Sequence, residues 1–434
     1  MTVPIPTGVF DILPLPPKDS PWKAVHLWHY VEKIVRQVAS DYGLSEIRTP
    51  IFERVELFQR SVGDETDIVS KEMYVFRDRG DREMALRPEG TASVMRALIE
   101  NGVFSPVHNL RYFYIGPMFR YERPQAGRFR QHHQFGAEIL GVAAPEQDAE
   151  MISLLIQLYT RLGLPHLKVY LNSLGDPGCR VKFREALLAY LCAHFSKLSE
   201  ESQRRFERNP LRILDSKEPQ DQEIVSGAPC ILEFLSPEDS AHFQRVQNLL
   251  MALNVSFEIN PLLVRGLDYY QRTVFEVTSG KLGAQNSVGG GGRYDGLLKQ
   301  LGGPDLSSIG FGVGLERVIQ LLVKEGVSDL VSPPALTLVI LPLDERAKER
   351  ALFLAEELRK KSVRTVVDFS GKKVKICVGA AADAKAEWLL VLGERELDAG
   401  KGVLKYLQDG TQTEVSLDQL DVLAHFLHSR HNKE

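Results

Sequence analysis

The stretch LVRGLDYYQRTVFEV opens as an apolar strand and then brings Arg265, Asp268, Tyr269 and Tyr270 close together. A strand that serves only as core has no use for such a set, so Arg265 reads as a working cation. Two more arginines stand in similar settings, Arg120 in FRYERPQ and Arg317 in GVGLERV, each on or beside a strand and flanked by Gly, Pro or Tyr. Any one of them alone reads as an ordinary ion pair. Three suggest a site for a polyanion, because the planar guanidinium grips phosphate oxygens two at a time. Between Arg111 and Gln134 the chain also carries Arg123, Arg128 and Arg130 against the single acid Glu122, in a loop shaped by Pro124 and Gly127. That composition points to an anion-binding segment. SVGGGGRYDGL adds four successive glycines, read as lying between a strand and a helix, where missing side chains let a ligand approach the backbone. No Gly-Lys-Ser/Thr follows, so this is not a Walker-type phosphate loop. His132 and His133 are neighbours on a predicted strand and point to opposite faces, so they are not expected to share a metal, and no metal ligands are assigned.

The elements that hold these residues can be read from periodicity. Apolar residues from Trp22 to Tyr42 recur at helical spacing and Gly43 closes the helix. SEIRTPIFE reads as a strand interrupted by Pro50, which belongs at a sheet edge or an interface. MYVFRDRGDREMALRPE reads as two strands around a turn from Asp78 to Arg82, which makes its RGD triplet a hairpin turn. A helix follows at TASVMRALIENG, then strand, polar loop and strand through LRYFYIGPMFRYERPQAGRFRQHHQFGAEILGV, then a helix from about Pro145 to Leu162. Residues 175–257 change character and read as a mainly helical insertion. Antiparallel strands resume at PLLVRGLDYYQRTVFEVTS, and SSIGFGVGLERVIQLLVKEG runs from strand into helix. VSDLVSPPA marks a linker, after which strands and helices alternate in a small α/β module. The expected architecture is α+β, with a first catalytic part at 1–174, an insertion at 175–257, a second catalytic part at 258–326, a linker at 327–333 and an α/β module at 334–434.

Composition sets the outer bounds. A chain of 434 residues divides into two or three domains, and 44% hydrophobic with 25% charged residues is a globular balance. No apolar run is long enough to span a bilayer. The start, MTVPIPTGVFDILP, has no basic region followed by an apolar core, so the expected location is the cytoplasm and no membrane partner is expected. Cys179, Cys192, Cys230 and Cys377 are scattered and form no C-x-x-C pair, which argues against a zinc ribbon or disulfide framework. A net charge of −4 argues against a protein that coats nucleic acid nonspecifically, but leaves room for a local basic surface.

Taken together, these motifs resemble class II aminoacyl-tRNA synthetases, and within them the histidyl-tRNA synthetase family, over nearly the whole chain. Pro50 after the long helix is similar to that class's first motif, which implies a homodimer. FRYERPQAGRFRQHHQFGAEILG resembles the second motif and GFGVGLERV the third, while LVRGLDYY and GGGGRYDGL resemble segments peculiar to the histidine enzymes. His132 departs from the pattern, standing where the family has an aromatic such as phenylalanine.

The resemblance implies a catalytic body of class II type, ATP as substrate with Mg²⁺, and activation of histidine followed by its transfer to the 3′ end of tRNA(His). Arg265 and Arg120 would act on the α-phosphate, and Arg317, with Gly312 and Gly314, would hold the nucleotide. Glu89, Thr91 and Gln134 would receive the histidine ammonium. Glu138, Tyr269 and Tyr270 would face its ring, with Glu138 accepting an imidazole N–H. Such paired polar contacts reject an analogue lacking the matching group by roughly 10⁴ to 10⁵. Arg123, Arg128 and Arg130 would meet the tRNA acceptor end, with the insertion on the acceptor stem and the last module on the anticodon. The rival is a synthetase-like regulatory paralogue of histidine biosynthesis without ligase activity. Such paralogues lack the last module and tend to lose catalytic residues, which residues 334–434 and the arginine set count against.

Overall fold

The computed structural model describes residues 3–63, 66–104, 109–125, 127–283, 286–333 and 336–431. The chain divides into two compact units, Met1–Val331 and Ser332–Glu434. The module boundary expected at 334 falls outside the described residues.

In the first unit the strands are β1 (Ser45–Glu46), β2 (Phe52–Arg54), β3 (Val75–Arg77), β4 (Glu83–Leu86), β5 (Leu110–Phe119), β6 (Gln131–Leu140), β7 (Lys168–Ser173), β8 (Glu258–Ile259), β9 (Gln271–Thr278), β10 (Ser287–Arg293) and β11 (Ser308–Gly314). Eight of them form one sheet in the order β1-β5-β6-β11-β10-β9-β7-β8. The six central strands are antiparallel, and a short parallel strand lies at each end. β2, β4 and β3 make a separate small sheet. The stretch around Pro50 is therefore two strands in two sheets, with the proline between them.

Alternation along β6 shows how the sheet divides its labour. Phe135, Ala137 and Ile139 enter the main core with helices Val25–Asp41, Pro145–Arg161 and Leu315–Lys324. Gln134, Gly136 and Glu138 therefore point to the other face. Helix Val25–Asp41 buries Leu27, Trp28, Val31, Val35 and Val38, the stripe its periodicity predicts. Its expected start at Trp22 is taken by a 3₁₀ turn, Pro21–Lys23, because Ala24 is extended.

Two expectations are corrected. The four glycines do not join a strand to a helix; they are strand, paired with β9 on one side and β11 on the other. A Cβ at Gly291 would overlap the Gly310 carbonyl and lie 2.6 Å from the Phe311 Cα, so only glycine lets these backbones approach as they do. LVRGLDYY, for its part, is a loop, and the strand begins at Gln271. Pro261 and Gly266 break the extended run, and Arg180 Nη1 holds the loop by donating to the Asp268 and Tyr270 carbonyls at 3.1 and 3.0 Å.

Between β7 and β8 the chain forms helices Pro177–His194, Glu200–Arg208, Pro219–Val225 and Pro237–Ala252. Asp176, Ser199 and Ser236 cap three of them through their side chains. The last helix sends Phe243, Val246 and Leu250 into the main core.

The second unit is built on a five-stranded sheet: β12 (Leu336–Pro342), β13 (Thr365–Val367), β14 (Ala386–Leu392), β15 (Lys401–Tyr406) and β16 (Gln412–Ser416), ordered β13-β12-β14-β15-β16. The first three are parallel and the last two antiparallel. Leu338 and Ile340 pack with helices Glu345–Lys360 and Leu420–His431, whereas Val339 and Leu341 pack with Val374–Asp383, so helices cover both faces. No helix among the described residues is long and apolar enough to cross a membrane.

Candidate active site

On the face of the large sheet away from the main core lies a cleft of about 210 Å³. It gathers Arg120, Arg265 and Arg317 from a strand end, a loop and a helix start, with Glu89, Thr91, Gln134, Tyr269 and Tyr270 beside them. Gly312, Gly314 and Arg128 also line it. Glu138 lies beneath this surface, fully buried.

The room for these side chains comes from glycines on the neighbouring strands. Gln134 and Glu138 lie across β11, where a Cβ at Gly312 or Gly310 would overlap the Gln134 amide or the Glu138 carboxylate. A Cβ at Gly290 would stand 2.9 Å from Arg265 Nη1, so the guanidinium rests on bare backbone.

Each arginine is held from behind. Arg265 Nη1 donates to Glu276 Oε1 at 3.0 Å, and the same oxygen accepts from Ser287 Oγ at 2.9 Å. Arg317 Nε and Nη1 donate to the carbonyls of Gly127 and Ser287 at 2.8 and 2.9 Å. Arg120 Nε donates to the Pro88 carbonyl at 2.9 Å. Arg265 Nε is buried without a hydrogen-bond partner among the described residues. A buried unsatisfied donor of this kind costs about 1–3 kcal/mol, and an anion in the cleft would offset that cost. Burial and the guanidinium groups of Arg128 and Arg120 press the Arg317 pKa downward, against the pull of Glu122 and Glu276. The cations are thus crowded together, which favours a ligand with several negative charges.

Glu89 has two duties. Its carboxylate caps helix Thr91–Glu100 by accepting from the Thr91 and Ala92 amides at 2.7 and 2.8 Å, and it also lines the cleft. Burial raises its pKa, partly countered by those two hydrogen bonds. Glu138 accepts from Thr91 Oγ1 at 2.7 Å and from the Tyr294 hydroxyl. Burial pushes its pKa up to about 8, outweighing the hydrogen bonds that lower it. Tyr269, Tyr270 and Tyr294 form a ring cluster, with Tyr269 4.7 Å from Tyr270 and 5.5 Å from Tyr294.

Tyr294, Glu276 and Ser287 were not assigned from the sequence. Tyr294 stood in the quoted glycine segment, and its aromatic character directly after the bare strand was the available signal. Glu276 is an acid between apolar neighbours in RTVFEV, a pattern that on its own reads as an ordinary outward-facing strand position. Nothing in the sequence distinguishes Ser287.

His132 lines the cleft, where burial and then Arg120 and Arg317 lower its pKa to about 3, so it is neutral. His133 instead meets the edge of Trp28, ring centres 5.0 Å apart, and Glu316 Oε1 at 3.0 Å. The three arginines expected at an acceptor end divide as well. Arg123 and Arg128 are exposed in the loop, Arg128 Nε lying 3.2 Å from Glu122. Arg130 stacks 3.9 Å from the Tyr121 ring centre and donates to the Thr7 carbonyl, bracing the N-terminal segment. Elsewhere, Asp176, Cys179 and Asp239 bring potential ligand atoms within 4.8 Å of one another. Asp176 caps a helix, and Asp239 is paired with Arg272 at 2.8 Å, so the cluster reads as a structural joint.

An antiparallel six-strand core, an arginine-lined cleft on one face and a separate α/β unit are the plan of class II aminoacyl-tRNA synthetases. The histidyl-tRNA synthetase family model matches residues 20–318, and an anticodon binding domain model matches 337–422. A histidine–tRNA ligase of Protochlamydia amoebophila is 53% identical over 416 residues, covering 96% of this chain and 98% of the relative. Among solved structures, apo histidyl-tRNA synthetase of S. aureus superimposes with a TM-score of 0.80 at 32% identity, covering 98% of this chain and 100% of the other. A Bacillus halodurans structure described as an ATP phosphoribosyltransferase regulatory subunit/histidyl-tRNA synthetase shares the fold, with a TM-score of 0.64 at 22% identity over 90% of this chain and 98% of that one. The chain belongs to the histidyl-tRNA synthetase family.

The buried carboxyl gives a pH prediction. Glu138 has a folded-state pKa of about 8 against an ordinary 4.5, so its contribution to stability is full below about pH 4.5 and is lost as pH rises through 8. Glu138→Gln cannot ionise. Urea unfolding at pH 5.5 and 8.5 should therefore show wild type losing stability relative to the variant at the higher pH; a difference independent of pH contradicts the raised pKa.

Proposed function

We propose that the chain is a histidine–tRNA ligase that joins histidine to ATP as histidyl-adenylate, releasing pyrophosphate, and passes the histidyl group to the 3′ end of tRNA(His), releasing AMP. The observation that carries this reading is the convergence of three braced arginines with Glu89, Thr91, Gln134, Tyr269 and Tyr270 in one cleft, in a chain of this family.

In the first step a histidine carboxylate oxygen attacks the α-phosphorus and the bond to the bridging oxygen of pyrophosphate breaks. Negative charge builds on the phosphoryl oxygens, and preorganised cations stabilise it without reorganising. Arg120 and Arg265 take this role. Arg317 holds the far end of the nucleotide, and Gly312 and Gly314 let it lie close to β11. Glu89, Thr91 and Gln134 receive the ammonium, and the buried Glu138 with Tyr269 and Tyr270 selects the imidazole. Burial keeps both tyrosines in the neutral, hydrogen-donating form. Mg²⁺ would neutralise phosphate charge. Glu276 and Ser287, a carboxylate and hydroxyl 2.9 Å apart beside Arg265, offer the hard oxygen donors it prefers. In the second step a ribose hydroxyl of the tRNA end attacks the acyl carbon and AMP leaves.

The remaining assignments follow the same reading. Arg123 and Arg128 meet the acceptor end, and Arg130 steadies their loop. Residues 175–257 approach the acceptor stem, and residues 334–434 read the anticodon. Retention of that second unit, together with the intact arginine set, weighs against the regulatory paralogue. The enzyme works in the cytoplasm as a homodimer. Ile51 and Phe52, with Val75 and Phe76, lie 41–52% exposed on or beside the small sheet, an apolar surface suited to an isologous interface.

Three measurements check this reading. Arg265→Ala should lower kcat for histidine-dependent ATP–pyrophosphate exchange by about 10² to 10³ with little change in histidine KM; near-normal exchange removes its proposed role. A fragment ending at Val331 should still form histidyl-adenylate but charge tRNA far more weakly, and equal charging by fragment and full chain would show that the second unit does not bind tRNA. Sedimentation at micromolar concentration should give twice the monomer mass, whereas a fully active monomer refutes the dimer.

A further inference from the structure

Strand β10 poses a positioning problem. From Gly289 to Gly292 it offers no side chain to pack, and its pairing with β9 shifts register between Gly292 and Arg293. Where the ladder slips, the first side chains after the glycines decide where the strand lies. Those are Arg293 and Tyr294.

Arg293 is fully buried. Its Nη1 and Nη2 donate to the Val142 and Ala144 carbonyls, at 3.0 and 2.9 Å, in the turn that follows β6. Nη2 also lies 2.5 Å from Asp148 Oδ1, at the start of helix Pro145–Arg161. Asp148, equally buried, is itself held by Thr273 Oγ1 at 2.6 Å and by His242 Nε2 at 2.7 Å. Strands β9 and β10 and two helices therefore meet at one guanidinium–carboxylate pair. A buried ion pair is often no more stable than an apolar replacement. What it supplies here is geometry: the two carbonyls fix the plane of the fork and set its charge against the Asp148 carboxylate, whose Oδ1 makes no hydrogen bond among the described residues. The next residue, Tyr294, donates to Glu138 on β6, the strand that leads into the turn Arg293 grips.

We propose that Arg293 is a positioning residue for the histidine site: its pairing with Asp148 fixes where the Tyr294 hydroxyl meets Glu138, and through that contact the affinity for histidine. The proposal rests on the reading of Glu138 as the partner of the substrate ring. It extends that reading to a buried network that touches no substrate.

Asp148→Asn keeps the shape of the side chain and removes its charge. In histidine-dependent ATP–pyrophosphate exchange by the full chain, it should raise histidine KM by about ten- to a hundredfold, with ATP KM and kcat changed less than about twofold. Tyr294→Phe should act in the same direction. The double variant should be no worse than Tyr294→Phe alone, because both substitutions act through one hydroxyl. Additive effects, or a fall in kcat with histidine KM unchanged, would overturn the proposal. Should Asp148→Asn fail to fold, Thr273→Val removes only one donor to Asp148. It should still raise histidine KM more than ATP KM, and an equal effect on both would overturn the proposal. A wild-type chain without histidine-dependent exchange would strike at the reading of the site itself, before any variant is compared.

Discussion

The site depends on the absence of Cβ atoms from the floor of its cleft. In an antiparallel sheet every second side chain stands up from a face and fills the space above it. Here β10 and β11 carry glycine at the positions that face the cleft, so polar side chains from their neighbours can lie flat across them. Gln134 and Glu138 cross β11 at Gly312 and Gly310, and Arg265 rests over Gly290. The same bareness lets the backbones approach closely at Gly291 and Gly310. A substrate then meets a shallow polar surface rather than a wall of side chains.

That floor has a cost, and the surrounding structure meets it. A glycine strand packs poorly and gains little from its own side chains, so its place is set by β9, β11 and the anchored residues after it. The cations above it are likewise constrained from behind. Glu276, the Ser287 and Gly127 carbonyls and the Pro88 carbonyl hold the three guanidinium groups before any ligand arrives. Preorganisation of this kind makes charge stabilisation effective, because the dipoles need not turn during the reaction. On the proposed reading, the arginines come from a strand end, a loop and a helix start because no single element can surround a phosphate.

Much of this was legible in the sequence because the signals were local. The arginines, the tyrosine pair and the glycine run each stood out by type and neighbours. The hairpin around Asp78, the helix Pro145–Arg161 and the alternating second unit followed from periodicity. The glycine run was misplaced because glycine carries no strand propensity of its own; its pairing is imposed by β9 and β11, which sequence does not place beside it. LVRGLDYY was read as strand from its apolar start, whereas the loop is fixed by Arg180, more than eighty residues away. Ser287 and Asp148 were invisible for the same reason, since their meaning lies in partners brought together only by the fold.

Histidine-dependent exchange of pyrophosphate into ATP, measured for the wild-type chain and for Gly312→Ala, tests the glycine floor most directly. The added methyl would meet chiefly the Gln134 side chain, so the fold should survive while the proposed histidine site is disturbed. The account predicts exchange by wild type that requires histidine, and a variant with an unchanged thermal transition whose histidine KM rises by about tenfold or more. Exchange by the variant equal to that of wild type, or wild-type exchange indifferent to histidine, would contradict it.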